Sequence, residues 1–264
     1  MSNPAKMYES YMVPTLFGPW ADQLIAAAAP QPGDRVLDVG CGTGVVARGI
    51  ASRVEPGGKV TGVDLSPGML EVAEETSEHE GLSINWHEGQ AESLPFPDGS
   101  FDLVTSQYAL MFFADRAAAL AEMRRVLADG GRLAVSTWQP IERHPFYNTL
   151  NSTIEERLGM SGVKEIFCLG DENEVRRLIE GAGLREVELQ SPSMENRFPE
   201  PEAFLAGEID VDTAAIPSMQ QLSHEERKRV VESISAEMQG PLAEVTQGNE
   251  VVLPFHAHIF TARK

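Results

Sequence analysis

The chain has 264 residues, a 42% apolar fraction and a formal charge of −19, from 40 acidic against 21 basic side chains. That apolar content excludes a disordered chain, and the length suits one large α/β domain with an elaboration. The charge argues against a nucleic-acid partner, because a surface this acidic repels phosphates and no basic run offsets it. The densest cluster, Glu225-Glu226-Arg227-Lys228-Arg229, is mixed in sign and reads as a solvated helix face.

In chain order, Tyr8, Tyr11, Met12, Leu16, Phe17 and Trp20 recur at near-helical spacing over residues 5 to 29, broken by Pro14 and Pro19. Strands and helices then alternate: strands near 35–40, 59–64, 83–88, 101–106 and 131–138, with helices at 43–54, 67–79 and 115–127. Such alternation is the pattern of a parallel sheet with helices on both faces. Ser66-Pro67 supplies a cap and a first-turn proline for the second of these helices. Further helices are expected at 145–158 and 171–182, a strand at 184–190, helical stretches at 200–207 and 223–239, and a last strand over 251–262. Residues 192–250 show no clear strand. The two cysteines, Cys41 and Cys168, make neither a disulfide framework nor a zinc site. His256 and His258 share a strand face without a neighbouring carboxylate, and no metal is expected. The N-terminus lacks an apolar signal core and no stretch approaches the ~20 apolar residues of a membrane span, so a soluble cytoplasmic protein without membrane insertion is expected.

The most informative segment is Val36-Leu37-Asp38-Val39-Gly40-Cys41-Gly42-Thr43-Gly44. An apolar strand ends in three glycines spaced G-x-G-x-G before a helix, which lets the backbone turn sharply beside a ligand. A dinucleotide fingerprint places its third small residue one position later, at Val45. An acid, Asp38, precedes the first glycine by two residues.

This stretch, from Val36 to Ala47, resembles motif I of the class I S-adenosylmethionine (SAM) dependent methyltransferases. Three more segments extend the resemblance. Val60-Thr61-Gly62-Val63-Asp64 ends a second strand on an acid, 20 residues after Gly44. The segment from Glu88 to Asp102, with Gln90-Ala91-Glu92, looks like the family's adenine-contacting segment, and Arg124 to Leu133 looks like its later helix-turn-strand. Four motifs in order over residues 36–138 make the signal specific, and the subgroup with ubiquinone and menaquinone biosynthesis methyltransferases is similar by eye.

The resemblance implies a doubly wound, seven-stranded, mostly parallel sheet of Rossmann-like type, with N-terminal helices and a helical insertion between the last two strands. On that reading 1–30 is an N-terminal helical segment, 31–191 with 251–264 the SAM-binding domain, and 192–250 a lid. The cofactor would be SAM, leaving as S-adenosylhomocysteine. By resemblance, Gly40 and Gly42 approach its amino-acid end, Asp38 holds the ammonium directly or through water, and Asp64 takes the ribose hydroxyls. Leu65 and Met69 pack on the adenine, which Gln90 and the Ala91 amide contact at its edge. Many relatives carry Asp at the Gln90 position, so that bond loses its charge assistance here. Ser106 and Gln107 line the methionine end, and Tyr11 is the N-terminal residue expected over the cofactor. Asp38 and Asp64 also have readings as a turn cap and a helix cap, and Met69 as core.

The acceptor side is less legible. His144, after the fifth strand, is the candidate general base, with a surface histidine before Pro145 as the other reading; Tyr108 is the candidate aromatic in the acceptor pocket. After the fourth strand the chain reads Thr105-Ser106-Gln107-Tyr108. The Asn/Asp-Pro-Pro-Tyr motif used on exocyclic amines is absent, which removes one acceptor class. The expected activity is methyl transfer to O, N or C of a small-molecule acceptor by direct displacement in a closed pocket. The alternatives are a SAM-binding protein with non-methylating chemistry and an NAD(P)-dependent oxidoreductase.

Overall fold

The apolar runs become strands: β1 (Arg35–Val39), β2 (Lys59–Asp64), β3 (Ile84–Glu88), β4 (Phe101–Gln107), β5 (Leu127–Trp138), β6 (Arg185–Gln190), β7 (Ser193–Pro199), β8 (Thr246–Gln247) and β9 (Glu250–Arg263). The structure is a computed structural model that describes residues 3–214 and 216–264. The sheet order is β3-β2-β1-β4-β5-β9-β6, with β7 and β8 pairing to β9. β1 pairs in parallel with β2 on one side and β4 on the other, β4 with β5 likewise, and β9 runs antiparallel to β6. The last strand therefore enters between β5 and β6, as expected. Val36 and Leu37 in β1 are fully buried, because a central parallel strand is covered on both faces. Helices Gly18–Ala28 and Val45–Ala51 bury Leu24, Ile25, Val46, Ala47 and Ile50 against Val36, Val60 and Leu103.

Among the described residues there are nine strands where seven were expected. β7 has the period-two burial of a strand, with Asn196 and Phe198 inward, yet a buried Asn stands where an apolar residue would have announced it. It pairs antiparallel with the first half of β9, from Ser193 opposite His256 to Pro199 opposite Glu250. By its contacts the chain divides into two units. One runs up to Thr137 and includes Asp171–Pro192 and Ala257–Lys264; the other comprises Trp138–Gly170 and Ser193–His256. The segment 138–170 thus groups with 193–256.

The second unit is built on helices Pro145–Leu158, Pro201–Ala214 and His224–Val245. An aromatic cluster fills it: Phe198 lies 4.7 Å from Phe204, Phe146 5.8 Å from Phe204 and Tyr147 5.5 Å from Phe255, ring centre to ring centre. Ser223 and Glu226 form a reciprocal capping box at the start of the long helix. That helix was expected to stop at 239, before Gly240-Pro241. It continues to Val245 because Ile234, Met238 and Leu242 form one buried stripe across the proline. Among the described residues no helix is long and apolar enough to cross a membrane.

In the first unit, two glycines of the nucleotide-side corner are packing notches. A Cβ on Gly44 (φ +85°) would meet the Trp86 ring at 2.3 Å, and one on Gly62 would meet it at 2.3 Å as well. The indole of Trp86 is anchored by its N–H donating to the Ser77 hydroxyl at 3.2 Å. Gly44→Ala incurs left-handed strain and overpacking together, so denaturant unfolding should show a loss of about 2–4 kcal/mol. Adding Trp86→Leu should recover part of that loss; no recovery would show that strain alone sets the cost.

Candidate functional site

A cleft of about 660 Å³ opens at the carboxyl ends of β1, β2 and β4 in the first unit. This is the switch point of the sheet, where the connections from β1 and β4 leave in opposite directions. Gly40, Gly42, Asp64, Leu65, Met69, Gln90, Ala91, Gln107 and Tyr108 all line it. Gly42 (φ +54°) is the glycine with open space: a Cβ there would have only the Tyr8 ring, at 3.9 Å. Gly40 is tighter, since a Cβ would strike Ala109 at 2.5 Å.

Asp64 fixes the corner. One carboxylate oxygen accepts the Gly42 amide at 2.8 Å and the other the Ser66 amide at 2.8 Å, while Ser66 itself caps helix Pro67–His79. Its remaining lone pairs face the cleft that the side chain lines. Asp38 is placed differently from Asp64. It is 1% exposed and lies behind the lining, with Oδ1 accepting from Thr105 at 2.8 Å and buried Oδ2 making no hydrogen bond of good geometry. Burial pushes its carboxyl up to about 7; the Thr105 hydroxyl and Ala47 amide oppose the rise, and the Asp64 charge adds to it. Ser106 also points away, as the alternation of β4 requires, and its hydroxyl donates to the Val39 carbonyl at 2.8 Å.

The loop carrying Gln90 and Ala91 is held by a residue with no marked role in the sequence. Arg125, on helix Arg116–Val126, donates to the Leu94 carbonyl at 3.0 Å, the Phe96 carbonyl at 2.8 Å and Asp98 at 2.7 Å, and forms a two-point contact with Glu122. That guanidinium holds the Glu122 carboxyl below the usual carboxylate range. Glu122 in turn accepts the Leu94 amide at 2.9 Å.

On the N-terminal side the lining residues are Tyr8 and Phe17, and Tyr11 is not among them. Residues Tyr8–Phe17 wind as a wide, π-type helix between helices Pro4–Met7 and Gly18–Ala28. At roughly 4.4 residues per turn, positions nine apart fall on one face; at 3.6 they fall on opposite faces. Tyr8 and Phe17 accordingly stack with ring centres 5.1 Å apart. Phe112 and Phe113, after β4, complete the mouth. Leu65 and Phe112 are 63% and 68% exposed, so the rim is apolar and open.

His144 belongs to the second unit and is 2% exposed. Nε2 accepts the His256 amide at 3.0 Å, and Nδ1 lies 3.2 Å from the Pro140 carbonyl, which assigns the proton to Nδ1. Burial lowers its pKa to about 4. Both nitrogens are committed to the backbone. Tyr108 adopts φ +48°, rare for a bulky residue, and burial drives its hydroxyl pKa well upward, so it stays a phenol. His256 and His258 pair with Ser193 and Ser191, at 2.6 Å and 3.0 Å, and no group of metal-ligating side chains occurs among the described residues.

Residues 37–135 match the methyltransferase domain family. The chain is 34% identical over 183 residues to the ubiquinone/menaquinone biosynthesis C-methyltransferase of Cupriavidus metallidurans, covering 64% of this chain and 74% of that one. The chain belongs to the class I SAM-dependent methyltransferases. Demethylmenaquinone methyltransferase of Thermus thermophilus is 40% identical over 127 residues, which are 48% of the methyltransferase and 57% of that relative. Among solved structures, a putative methyltransferase from Bacillus halodurans superposes with a TM-score of 0.63 at 24% identity, over 92% of this chain and 98% of that one. The [4+2]-cyclase SpnF superposes at 0.55 with 20% identity, over 94% and 81%. Both show the fold.

The cleft suits the cofactor of this methyltransferase. Gly42 leaves a cradle that a side chain would narrow, Asp64 presents acceptors, Leu65 and Met69 offer apolar walls, and no Lys, Arg or His is among the lining residues to repel a sulfonium and an ammonium.

Two outcomes are expected. Asp64→Ala should weaken SAM binding by about 1.5–3 kcal/mol in calorimetry, the scale of a hydrogen bond to a charged group; an unchanged dissociation constant removes Asp64 from the site. For His144, the unfolded chain takes up a proton near pH 6.5 and the folded chain only near pH 4, so stability falls as pH drops through that window. His144→Asn should flatten that slope in urea titrations at pH 4 to 7, and an unchanged slope would assign it to other groups.

Proposed function

We propose that this methyltransferase acts on an uncharged, ring-bearing small molecule of quinol or phenol type, with ring carbon or hydroxyl oxygen as the methylated atom. One observation carries the reading. The charged residues lining the cleft are Asp64, Glu92 and Asp115, all acids, and Phe17, Tyr108, Phe112 and Phe113 give its lining an aromatic side. Such a lining repels carboxylate and phosphate acceptors and suits a flat apolar ring. The names of two relatives, a ubiquinone/menaquinone biosynthesis C-methyltransferase and a demethylmenaquinone methyltransferase, support the same class.

When bound, SAM supplies a methyl group on a sulfonium cation. The protein's own part is to align and to exclude water. Apolar walls that hold the acceptor carbon or oxygen in line with the donor contribute up to about 7–11 kcal/mol through orientation alone. A dry apolar mouth disfavours the compact sulfonium charge more than the charge spread over donor and acceptor during transfer. The S–C bond breaks as the new bond to the acceptor forms, and the proton the acceptor sheds passes to solvent. Neither His144, with both nitrogens bonded to backbone, nor the buried phenol of Tyr108 acts as the base on this reading. A cytoplasmic site of action belongs to the same proposal.

The test offers purified protein and isotopically labelled SAM to matched quinol, phenol, amine, carboxylate and phosphate acceptors, with products read by mass spectrometry. Labelled quinol or phenol products are expected. Labelling of the carboxylate or phosphate members alone would overturn the reading. No product, with SAM binding shown in the same tube, would favour non-methylating chemistry.

A further inference from the structure

We infer that Arg48 is a positioning residue for the donor cleft, acting through Glu9 to set Tyr8 as the wall facing the glycine loop. Arg48 lies on the helix that follows the loop, and its side chain is 8% exposed. Its guanidinium touches three separate elements. Nη1 donates to the Thr43 carbonyl within the glycine loop, Nη2 donates to Glu9 at 2.7 Å, and Nε lies 3.3 Å from Glu80 at the end of helix Pro67–His79. Glu9 precedes no ligand contact of its own, but its neighbour Tyr8 lines the cleft. The Tyr8 ring edge and hydroxyl stand 3.9 and 4.0 Å from where a Cβ on Gly42 would be. The contacts close a ring: Gly42, Thr43, Arg48, Glu9, Tyr8 and back to Gly42.

The chemistry of the parts fits a positioning role. A guanidinium has five donors in a planar fork and serves three acceptors at once, which a lysine ammonium at the same place does not. Glu9 is 19% exposed, so its pair with Arg48 is shielded from salt. The Lys6–Glu75 pair on the same N-terminal segment is more than half exposed at both ends and adds little. The far end of the segment is held by uncharged contacts, with the Gln107 amide donating to the Phe17 carbonyl at 3.0 Å and the Tyr108 ring 6.2 Å from Phe17. Tyr8 itself remains a neutral phenol, because burial and then the Asp64 and Glu9 charges raise its pKa. It contributes a wall and a hydroxyl, with no charge. Arg48 therefore couples two parts of the donor cleft, the loop beneath and the wall opposite.

The readout is SAM affinity by calorimetry, with thermal stability measured beside it, for Glu9→Ala, Glu9→Gln, Arg48→Gln, Tyr8→Ala and the pair Glu9→Ala/Tyr8→Ala. Glu9→Ala and Tyr8→Ala should each raise the dissociation constant about 10-fold, and the pair should do no more than the worse single change, since contacting residues couple. Glu9→Gln, which still accepts from Arg48, should stay within about 3-fold of the wild type. If Arg48→Gln does not fold, the Glu9 and Tyr8 variants carry the test. Equal SAM affinity in Glu9→Ala and the wild type, or fully multiplicative losses in the pair, would overturn the inference. Failure of the wild type to bind SAM would instead count against the donor cleft itself.

Discussion

The carboxylate of Asp64 is the fastening on which the donor cleft depends. It ends β2, and with one oxygen on the Gly42 amide and the other on the Ser66 amide it ties the glycine loop to the next helix start. The loop turns at positive φ at Gly40 and Gly42, which glycine adopts readily, and that turn brings the Gly42 amide to the carboxylate. The carboxylate must also keep accepting capacity toward the cleft. Two charge-assisted bonds to backbone leave it oriented before any ligand arrives, so ligand binding need not order it.

Beneath that corner, packing sets part of the G-x-G-x-G spacing. The early third glycine, Gly44, answers to Trp86 of β3, and Gly62 answers to the same ring. Two glycines far apart in the chain are thus one feature, a seat for an indole. Gly42, by contrast, lines the cleft with open space beside it. Spacing alone does not separate the glycine that admits a ligand from those that admit a side chain.

Much of the fold was legible because the relevant signals are local. β1, β2 and β4 are apolar runs bounded by Gly, Asp or Pro, and Ser66-Pro67 marks a helix start that the structure keeps. What escaped reading depends on partners distant in sequence or on an unusual period. β7 hides behind a buried Asn196, and the helix through Pro241 persists through its buried stripe. The resemblance points to Tyr11, whereas Tyr8 lines the cleft, and the wider turn of this helix is not marked in the sequence. Arg48 and Arg125 look like surface charges in the sequence; each instead gathers carbonyls and carboxylates from segments far apart. The motif supplies the acid Asp38 but does not say on which side of the glycine turn it is buried.

The path of β9 bears on how the chain reaches its native state during synthesis. β5 and β6 are made well before the strand that lies between them, whose residues Ile259–Arg263 pair with β6. Until β9 leaves the ribosome, β6 has no neighbour in the sheet and β5 keeps an open edge, while β1, β2 and β4 already pair among themselves. The nascent chain thus carries an unfinished sheet until β9 has been made, a state prone to mispairing and to chaperone capture. Among the described residues, β9 is the one strand that joins β6 to the rest of the sheet.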